Sequence, residues 1–361
     1  MRGIMPKGWD TMSKIAVLTS GGDSPGMNTA VFSIARSANM FGMSVLGIKN
    51  GYKGLLGTGA QVQDDFLDFD LNTALDIADQ PGTFLRTARC TEFLELENQI
   101  KAAQRLKDMD VKGLVVLGGD GSFQGALRLC EQEIPCIGIP ATIDADLGYT
   151  ETTLGFDSAC NHCMQVVRSI RATSRSHSRP HVVEVMGRHC GNIALATAAS
   201  TGAEIVLVPE IPWSIPEVAE RIRRELNRGN MRVTVVVAEG AYDSMEPFDV
   251  YGYLKNYTDE VYETMKINTQ NLTLILRNMC HAGFRHTVVG YSQRGVVPTM
   301  KDSVFALEAG HMAVRLIHEG KSGEVIGIRQ ARVFHMPIRE ALATKQEFST
   351  RLYKICNKMY P

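Results

Sequence analysis

Three stretches of this chain carry residue types suited to handling phosphate. The first is Thr19-Ser20-Gly21-Gly22-Asp23-Ser24-Pro25-Gly26-Met27-Asn28, which ends an apolar run. Gly21 and Gly22 lack a Cβ, so the backbone can approach a ligand closely. Pro25 suits the first position of a following helix. That helix would turn free N–H groups and positive potential toward the ligand. A phosphate cradle and a tight turn without a ligand both fit this stretch. It is not GxGxxG, and no GxxxxGK[ST] occurs, so neither a dinucleotide fold nor a Walker loop is supported. The second stretch, Gly118-Gly119-Asp120-Gly121-Ser122, is another glycine turn opening a helical pattern. Asp120 could hold Mg²⁺ together with substrate phosphates, or simply cap the helix. The third is Pro140-Ala141-Thr142-Ile143-Asp144-Ala145-Asp146. In an extended segment Asp144 and Asp146 would point the same way, as a base and a metal-side partner or as a solvated acidic loop. Arg179, Arg188, Arg285 and Arg294 flank later apolar runs, and arginine binds phosphate through a planar fork. A glycine-and-acid half followed by an arginine half suggests phosphoryl transfer between two phosphorylated ligands.

Such residues need elements to place them. Short runs rich in β-branched residues predict strands over Lys14–Thr19, Val45–Ile48, Gly113–Leu117, Cys136–Ile139, His181–Val185, Ile205–Val208, Arg232–Ala238 and Arg285–Val289. Leu114–Leu117 and Val233–Val237 are continuously apolar, as parallel strands buried on both faces are. Helical spacing separates them, for example over Ile100–Lys107 and Val218–Leu226. The order predicts an α/β protein with right-handed crossovers, with ligands at the carboxyl ends of the strands.

Composition narrows the class. Length alone allows two domains. Lys plus Arg number 38 and Asp plus Glu 39, for a net charge of −1, which argues against a general nucleic-acid or anionic-membrane binder. No run of about 18 apolar residues occurs to span a membrane. Residues 1–11 lack the apolar stretch of a secretory signal and read as a disordered extension, with Met5 or Met12 as alternative starts. Eight scattered cysteines favour reduced thiols and a cytoplasmic location. Cys160 and Cys163 have CxxC spacing around His162, but no second pair exists to complete a metal site, so ordinary helix packing is expected.

The motifs together resemble the phosphofructokinase family. GGDSPGMN (21–28), GTFLRTAR (82–89), GGDGS (118–122), TIDAD (142–146), VVEVMGR (182–188), AEG (238–240) and GYSQRG (290–295) occur in the family's order, and the resemblance covers nearly the whole chain after Met12. The resemblance implies two similar three-layer α/β domains with mostly parallel sheets and the active site in the cleft between them. It implies a larger ATP-binding domain, 12–155 plus 293–343, and a smaller sugar-phosphate-binding domain, 156–292 plus 344–361. By the same resemblance, Gly22, Tyr52, Arg89, Cys90, Gly119, Gly121 and Ser122 match ATP-side positions, with Tyr52 near adenine and Arg89 at the phosphates. Asp120 matches the Mg²⁺ position. Asp144 matches the base that takes the proton of the sugar 1-hydroxyl, and Thr142, Asp146 and Arg188 match supports for the transferring phosphoryl group. Met186, Gly187, Glu239, Tyr291 and Arg294 match fructose 6-phosphate contacts. Arg179 and Arg285 match arginines that reach the sugar phosphate from a neighbouring subunit, which implies a homotetramer or dimer.

Family members using pyrophosphate carry Asp where this chain has Gly121 and Lys where it has Ala141, so small residues here imply ATP as donor. The chain departs from the usual pattern at Ala145 (Asn), Tyr291 (His) and Val296 (Gly), and by an acidic, Tyr-rich extra stretch over 244–268. At the bacterial effector site Arg36, Arg171 and Arg228 keep positive charge, while Phe32 and Asn230 replace basic residues. A pyrophosphate-dependent or other sugar-phosphate kinase, and a non-catalytic metabolite-binding paralogue, are the alternative readings.

Overall fold

A computed structural model describes residues 13–57, 65–249 and 267–359. The extension over 1–11 and most of the extra stretch over 244–268 lie outside the described residues. Eleven strands occur among the described residues: β1 (Lys14–Thr19), β2 (Ser44–Ile48), β3 (Phe66–Asp68), β4 (Val111–Gly118), β5 (Cys136–Pro140), β6 (His181–Val185), β7 (Ile205–Leu207), β8 (Thr234–Ala238), β9 (Arg285–Val288), β10 (Glu324–Arg329) and β11 (Arg332–Pro337). The chain packs as two compact units. The first holds the described residues up to Thr142, Leu147–Asp157 and Arg294–Gln346; the second holds Ile143–Asp146, Ser158–Gln293 and the described residues from Glu347 on.

The first unit is built on a seven-stranded sheet in the order β11-β10-β5-β4-β1-β2-β3. Its central strands pair in parallel, and β3 and β11 are antiparallel edges. Strand side chains alternate between faces, which explains why the central runs are apolar throughout. Ile15, Val17, Val115 and Leu117 pack against the helices Met27–Met40 and Met300–His318. Their neighbours Ala16, Leu18, Leu114 and Val116 pack on the other face against Leu106, Phe123 and Leu129 of the helices Leu96–Asp108 and Asp120–Glu131.

The second unit is built on a four-stranded parallel sheet in the order β7-β8-β6-β9. Val235, Val236 and Val237 of β8 are fully buried. The helices Ile215–Asn227 and Thr269–Cys280 pack together. Ser214 starts the former by accepting from Glu217 N at 3.4 Å, with Pro216 in its first turn, and Asn268 starts the latter by accepting from Asn271 N at 3.0 Å.

All eight predicted strands are present, with ends shifted by at most two residues. The sequence missed β3 and the β10/β11 hairpin. That hairpin turns through Gln330 and Ala331, both at positive φ (51° and 57°). Such turns normally announce themselves with Asn-Gly or Asp-Gly, and neither is present. The expectation for Pro25 is also corrected. The helix starts at Met27, and Gly26 at φ 90° is its N-cap, a left-handed conformation that glycine adopts at no steric cost.

Candidate active site

In the first unit, three adjacent strands end side by side. β1 runs into the 20–26 turn, β4 into the 118–122 turn, and β5 into Ala141 and Thr142. Backbone hydrogen bonds staple these ends: Ser20 N donates to Leu117 O at 2.9 Å, and Ala141 N donates to Gly118 O at 2.9 Å. A Cβ on Gly118 would lie 2.7 Å from Ser20 O, and one on Gly119 would lie 3.8 Å from the Thr142 side chain. Gly118 thus lets the turns approach each other, whereas Gly119 has room for a side chain. Thr142 O accepts from Thr153 Oγ1 at 2.5 Å.

The 83–89 segment folds over the first turn. Thr87 Oγ1 donates to Gly21 O at 2.8 Å, and Thr19 Oγ1 donates to Arg86 O at 2.7 Å. Asn28, on the helix after the turn, accepts from Phe84 N at 2.7 Å. These bonds set the backbone leading to Arg89, which is exposed, and Cys90, which is half-buried. Burial pushes the Cys90 thiol up from its ordinary value. Thr87 and Asn28 were not singled out from sequence, although both lie inside the quoted motifs.

Asp120 is exposed as the first residue of its helix, with Oδ2 accepting from Gln124 Nε2 at 2.6 Å. Gly121 is exposed too, and a Cβ there would meet no atom within 4 Å. Ser122 is buried against the turn. Tyr52, expected beside adenine, lies in the core beneath the turn. It is 4% exposed, its hydroxyl donates to Ser122 O at 2.6 Å, and its ring centroid is 4.3 Å from that of Phe93. Burial raises its hydroxyl well above the ordinary value, so it remains a neutral donor that props the second turn. Arg294 Nη1 donates to Asp23 O at 2.9 Å, and a Cβ on Gly22 would come within 2.6 Å of that guanidinium nitrogen. The arginine lies across the first turn because Gly22 has no side chain.

Asp144 and Asp146 do not share one face. Ala145 between them has φ 50°, which breaks the extended geometry that the sequence reading assumed. Asp144 is 9% exposed whereas Asp146 is open to solvent. Asn192 Nδ2 holds this turn by donating to Ala145 O at 3.0 Å. Cys190 reports what surrounds it. Burial chiefly, then Glu210, Asp146 and Asp144, push its thiol up to about 12.

The four-stranded sheet offers side chains at both of its edges. At the carboxyl edge, β6 leads into Met186-Gly187-Arg188, β8 into Glu239, and β9 toward Tyr291. Arg188 N donates to Glu239 Oε1 at 2.8 Å, which leaves the Arg188 side chain exposed beside that carboxylate. Gly187, at φ 142°, closes this turn, and Cys190 N donates back to its carbonyl at 2.7 Å. Gln293 was not foreseen. It is fully buried, and its Oε1 accepts from Met186 N at 3.2 Å and from Cys163 Sγ at 3.0 Å. A buried glutamine inside GYSQRG was the available signal. Tyr291 is 82% exposed.

Arg179 and Arg285 lie at the opposite, amino edge. Arg285 opens β9 and its N donates to Pro180 O at 3.1 Å. Both side chains are exposed. Five residues at about 3.3 Å each separate this edge from Arg188, roughly 16 Å. His181 between them is held down to about 4 by burial, so it adds no positive charge there near neutrality.

The CxxC cysteines lie on the helix Phe156–His177, and among the described residues no group of three or more His, Cys, Asp or Glu could hold a metal. No helix among the described residues is long and apolar enough to cross a membrane. At the sequence-matched effector positions, Arg171 meets Glu204 at 2.9 and 3.1 Å, and Asn230 Nδ2 donates to the same carboxylate at 3.0 Å.

A phosphofructokinase family profile matches residues 14–317. The chain is 40% identical over 344 residues to a protein named ATP-dependent 6-phosphofructokinase from Clostridioides difficile, covering 95% of this chain and 98% of that one. A Clostridium perfringens protein, ATP-dependent 6-phosphofructokinase 1, is 40% identical over 346 residues, covering 96% and 99%. Among solved structures, phosphofructokinase from Saccharomyces cerevisiae superposes with a TM-score of 0.77 at 31% identity; the match spans 91% of this chain but only 45% of the yeast chain. A pyrophosphate-dependent phosphofructokinase from Marinobacter aquaeolei shares the fold, with a TM-score of 0.78 at 20% identity, over 94% of this chain and 86% of that one. With a family match over most of its length and relatives at 40% identity along nearly all of it, this chain belongs to the phosphofructokinase family.

Proposed function

We propose that the chain is an ATP-dependent 6-phosphofructokinase, which transfers the γ-phosphoryl group of ATP to the 1-hydroxyl of D-fructose 6-phosphate and releases ADP and fructose 1,6-bisphosphate. The observation that carries this reading is the stapling of two glycine turns and Thr142 at the ends of three adjacent strands. That arrangement offers backbone N–H groups and a helix N-terminus to a polyphosphate. The names of the relatives supply the substrates.

In this reading Asp144 accepts the proton of the sugar 1-hydroxyl as its oxygen attacks phosphorus. Thr142, Asp146 and Arg188 hold the transferring group, the guanidinium by its planar fork. Gly22, Arg89, Cys90, Gly119, Gly121 and Ser122 border ATP. Asp120, exposed in the first turn of its helix, fits Mg²⁺, which takes one or two carboxylates and completes its shell with phosphate oxygens and water. Bound there, Mg²⁺ would neutralise charge on the β- and γ-phosphates as the transfer proceeds. Met186, Gly187, Glu239, Tyr291 and Arg294 contact the sugar. Arg179 and Arg285 sit an edge away from Arg188, so they serve the sugar phosphate of a neighbouring subunit in a homo-oligomer of the cytoplasm. Open space at Gly121 supports ATP as donor, because an α-phosphate needs room that a side chain would occupy. Phosphate effectors act weakly, since Arg171 is already paired with Glu204.

The test is a coupled assay on fructose 6-phosphate with ATP or pyrophosphate. Turnover with ATP and Mg²⁺ is expected. Faster turnover with pyrophosphate overturns the donor, and none with either donor overturns the reaction.

A further inference from the structure

The turn that carries Asp144 has a shape its sequence does not favour. The residues Ile143–Asp146 belong to the second unit, whereas their neighbours Thr142 and Leu147 belong to the first. Among them Ala145 sits at φ 50°, a left-handed conformation in which a Cβ crowds the following carbonyl oxygen. Glycine adopts it freely, and asparagine and aspartate tolerate it, but alanine gains nothing there. An alanine keeps such a conformation only where its surroundings over-determine it. Packing supplies part of that, since Ala145 is buried. The left-handed step also decides where its neighbours go. In an extended segment Asp144 and Asp146 would share a face, whereas here Asp144 is buried and Asp146 is open to solvent.

Polar support comes from Asn192, whose Nδ2 donates to Ala145 O at 3.0 Å. Asn192 is the first residue of the helix Asn192–Thr201, so its backbone is anchored. The loop before it is anchored as well. Gly191 N donates to Glu210 Oε1 at 2.8 Å, and Cys190 N donates to Gly187 O at 2.7 Å. Arg188 N donates to Glu239 Oε1 at 2.8 Å. The 187–192 loop therefore joins the end of β6 to the Asp144 turn, and Asn192 makes the last link.

We propose that Asn192 is a positioning residue for the base: its amide holds Ala145 in the left-handed conformation that keeps Asp144 buried and Asp146 open. The proposal rests on the reading of Asp144 as the base. Proton transfer needs the carboxylate within hydrogen-bond reach of the hydroxyl, and a turn that relaxes toward the conformations alanine favours carries Asp144 out of that reach. This role differs from capping the helix. A cap accepts from backbone N–H groups, whereas Asn192 donates, through Nδ2, to a carbonyl outside its helix. An acid in the first turn of a helix suits the helix dipole. Asn192→Asp thus keeps the side chain's shape and the helix start, and sets an acceptor oxygen against the Ala145 carbonyl in place of a donor.

The test measures kcat, KM and melting temperature for wild type, Asn192→Asp, Asn192→Ala and Asp144→Asn, and for Asn192→Ala built on Ala145→Gly. Both Asn192 variants should lose about 3- to 10-fold in kcat, the scale of one hydrogen bond, with KM for fructose 6-phosphate and for ATP within about twofold of wild type. Asn192→Asp should melt with wild type. Glycine takes the left-handed conformation without support, so on Ala145→Gly the Asn192→Ala change should lower kcat by less than about twofold. Wild-type kcat in the Asn192 variants, a loss confined to KM, or an equal loss in both backgrounds overturns the proposal. If Asp144→Asn keeps wild-type kcat, the reading of the base fails and the positioning role falls with it. If Asp144→Asn loses activity while the Asn192 variants do not, the positioning role alone fails. Should Asn192→Ala not fold, Asn192→Asp with and without Ala145→Gly decides.

Discussion

The first unit presents backbone groups at the ends of its strands, whereas the second presents long side chains. At the ends of β1, β4 and β5, main-chain bonds hold two glycine turns in contact, and their positions follow once the sheet is formed. Around β6, β8 and β9 the arginines Arg188, Arg179 and Arg285 are exposed, divided between two ends of one sheet. A backbone site costs little side-chain entropy to organise, whereas each long arginine must be ordered when its ligand binds. The second unit distributes its charges so that no single end carries them all.

Four changes would break or sharpen this contrast. The largest effect is expected at the turn leading out of β5. Asp144→Asn keeps the shape of a buried side chain but removes the carboxylate proposed as the base, so kcat should fall about 10²–10⁴-fold with little change in KM for fructose 6-phosphate. Near wild-type kcat in steady-state assays would move the base elsewhere.

Next comes the divided half. Arg285→Ala removes a charged hydrogen bond valued at about 1.5–3 kcal/mol, so KM for fructose 6-phosphate should rise about 10- to 100-fold while KM for ATP stays put. Mixed oligomers of Arg285→Ala and Asp144→Asn should regain part of the wild-type rate, because an Arg285→Ala subunit keeps its base and can borrow an arginine. A verified mixed oligomer with no recovery would place all the chemistry on one chain.

A smaller effect is expected in the backbone-built half. Gly121→Asp puts a carboxylate into open space in the first turn of a helix, a position that tolerates acids. Its melting temperature should therefore match wild type. Its kcat/KM for ATP should fall about fivefold or more, since like charges about 4 Å apart repel by roughly 1–4 kcal/mol. Unchanged kcat/KM for ATP would show that the α-phosphate lies elsewhere.

The smallest effect concerns backbone strain. Ala145 occupies the left-handed region, at a cost of roughly 1–2 kcal/mol for a residue with a Cβ. Ala145→Gly relieves it but gains unfolded-state entropy, about 0.4–1 kcal/mol. A net stabilisation of about 0.5 kcal/mol should appear as a slightly higher melting temperature. A lower one would mean that the methyl group's packing outweighs the strain.

Much was legible because the relevant physics is local. Parallel strands buried on both faces must be apolar throughout, so β4 and β8 stood out, and turns that let backbones touch must contain glycine, so the two glycine turns did too. What escaped depends on context. Gln330 and Ala331 take left-handed conformations without the residues that advertise them, which hid the β10/β11 hairpin. Thr87, Asn28 and Gln293 matter only through the backbone groups they reach across the fold. Tyr52 reads as a ligand-facing aromatic until its hydroxyl is seen bonded to Ser122 O.

The amino-acid order by itself determined the α/β class, the family, the strand-end positions of the glycine turns and the residue types available for phosphoryl transfer. These rest on hydrophobic periodicity and on glycine's missing Cβ, both readable along a chain. Only the tertiary structure decided that Asp144 is buried while Asp146 is open, and that Arg294 lies across the first turn. A carboxylate's burial and an arginine's reach are set by neighbours distant in sequence, and the chain acquires those neighbours only by folding.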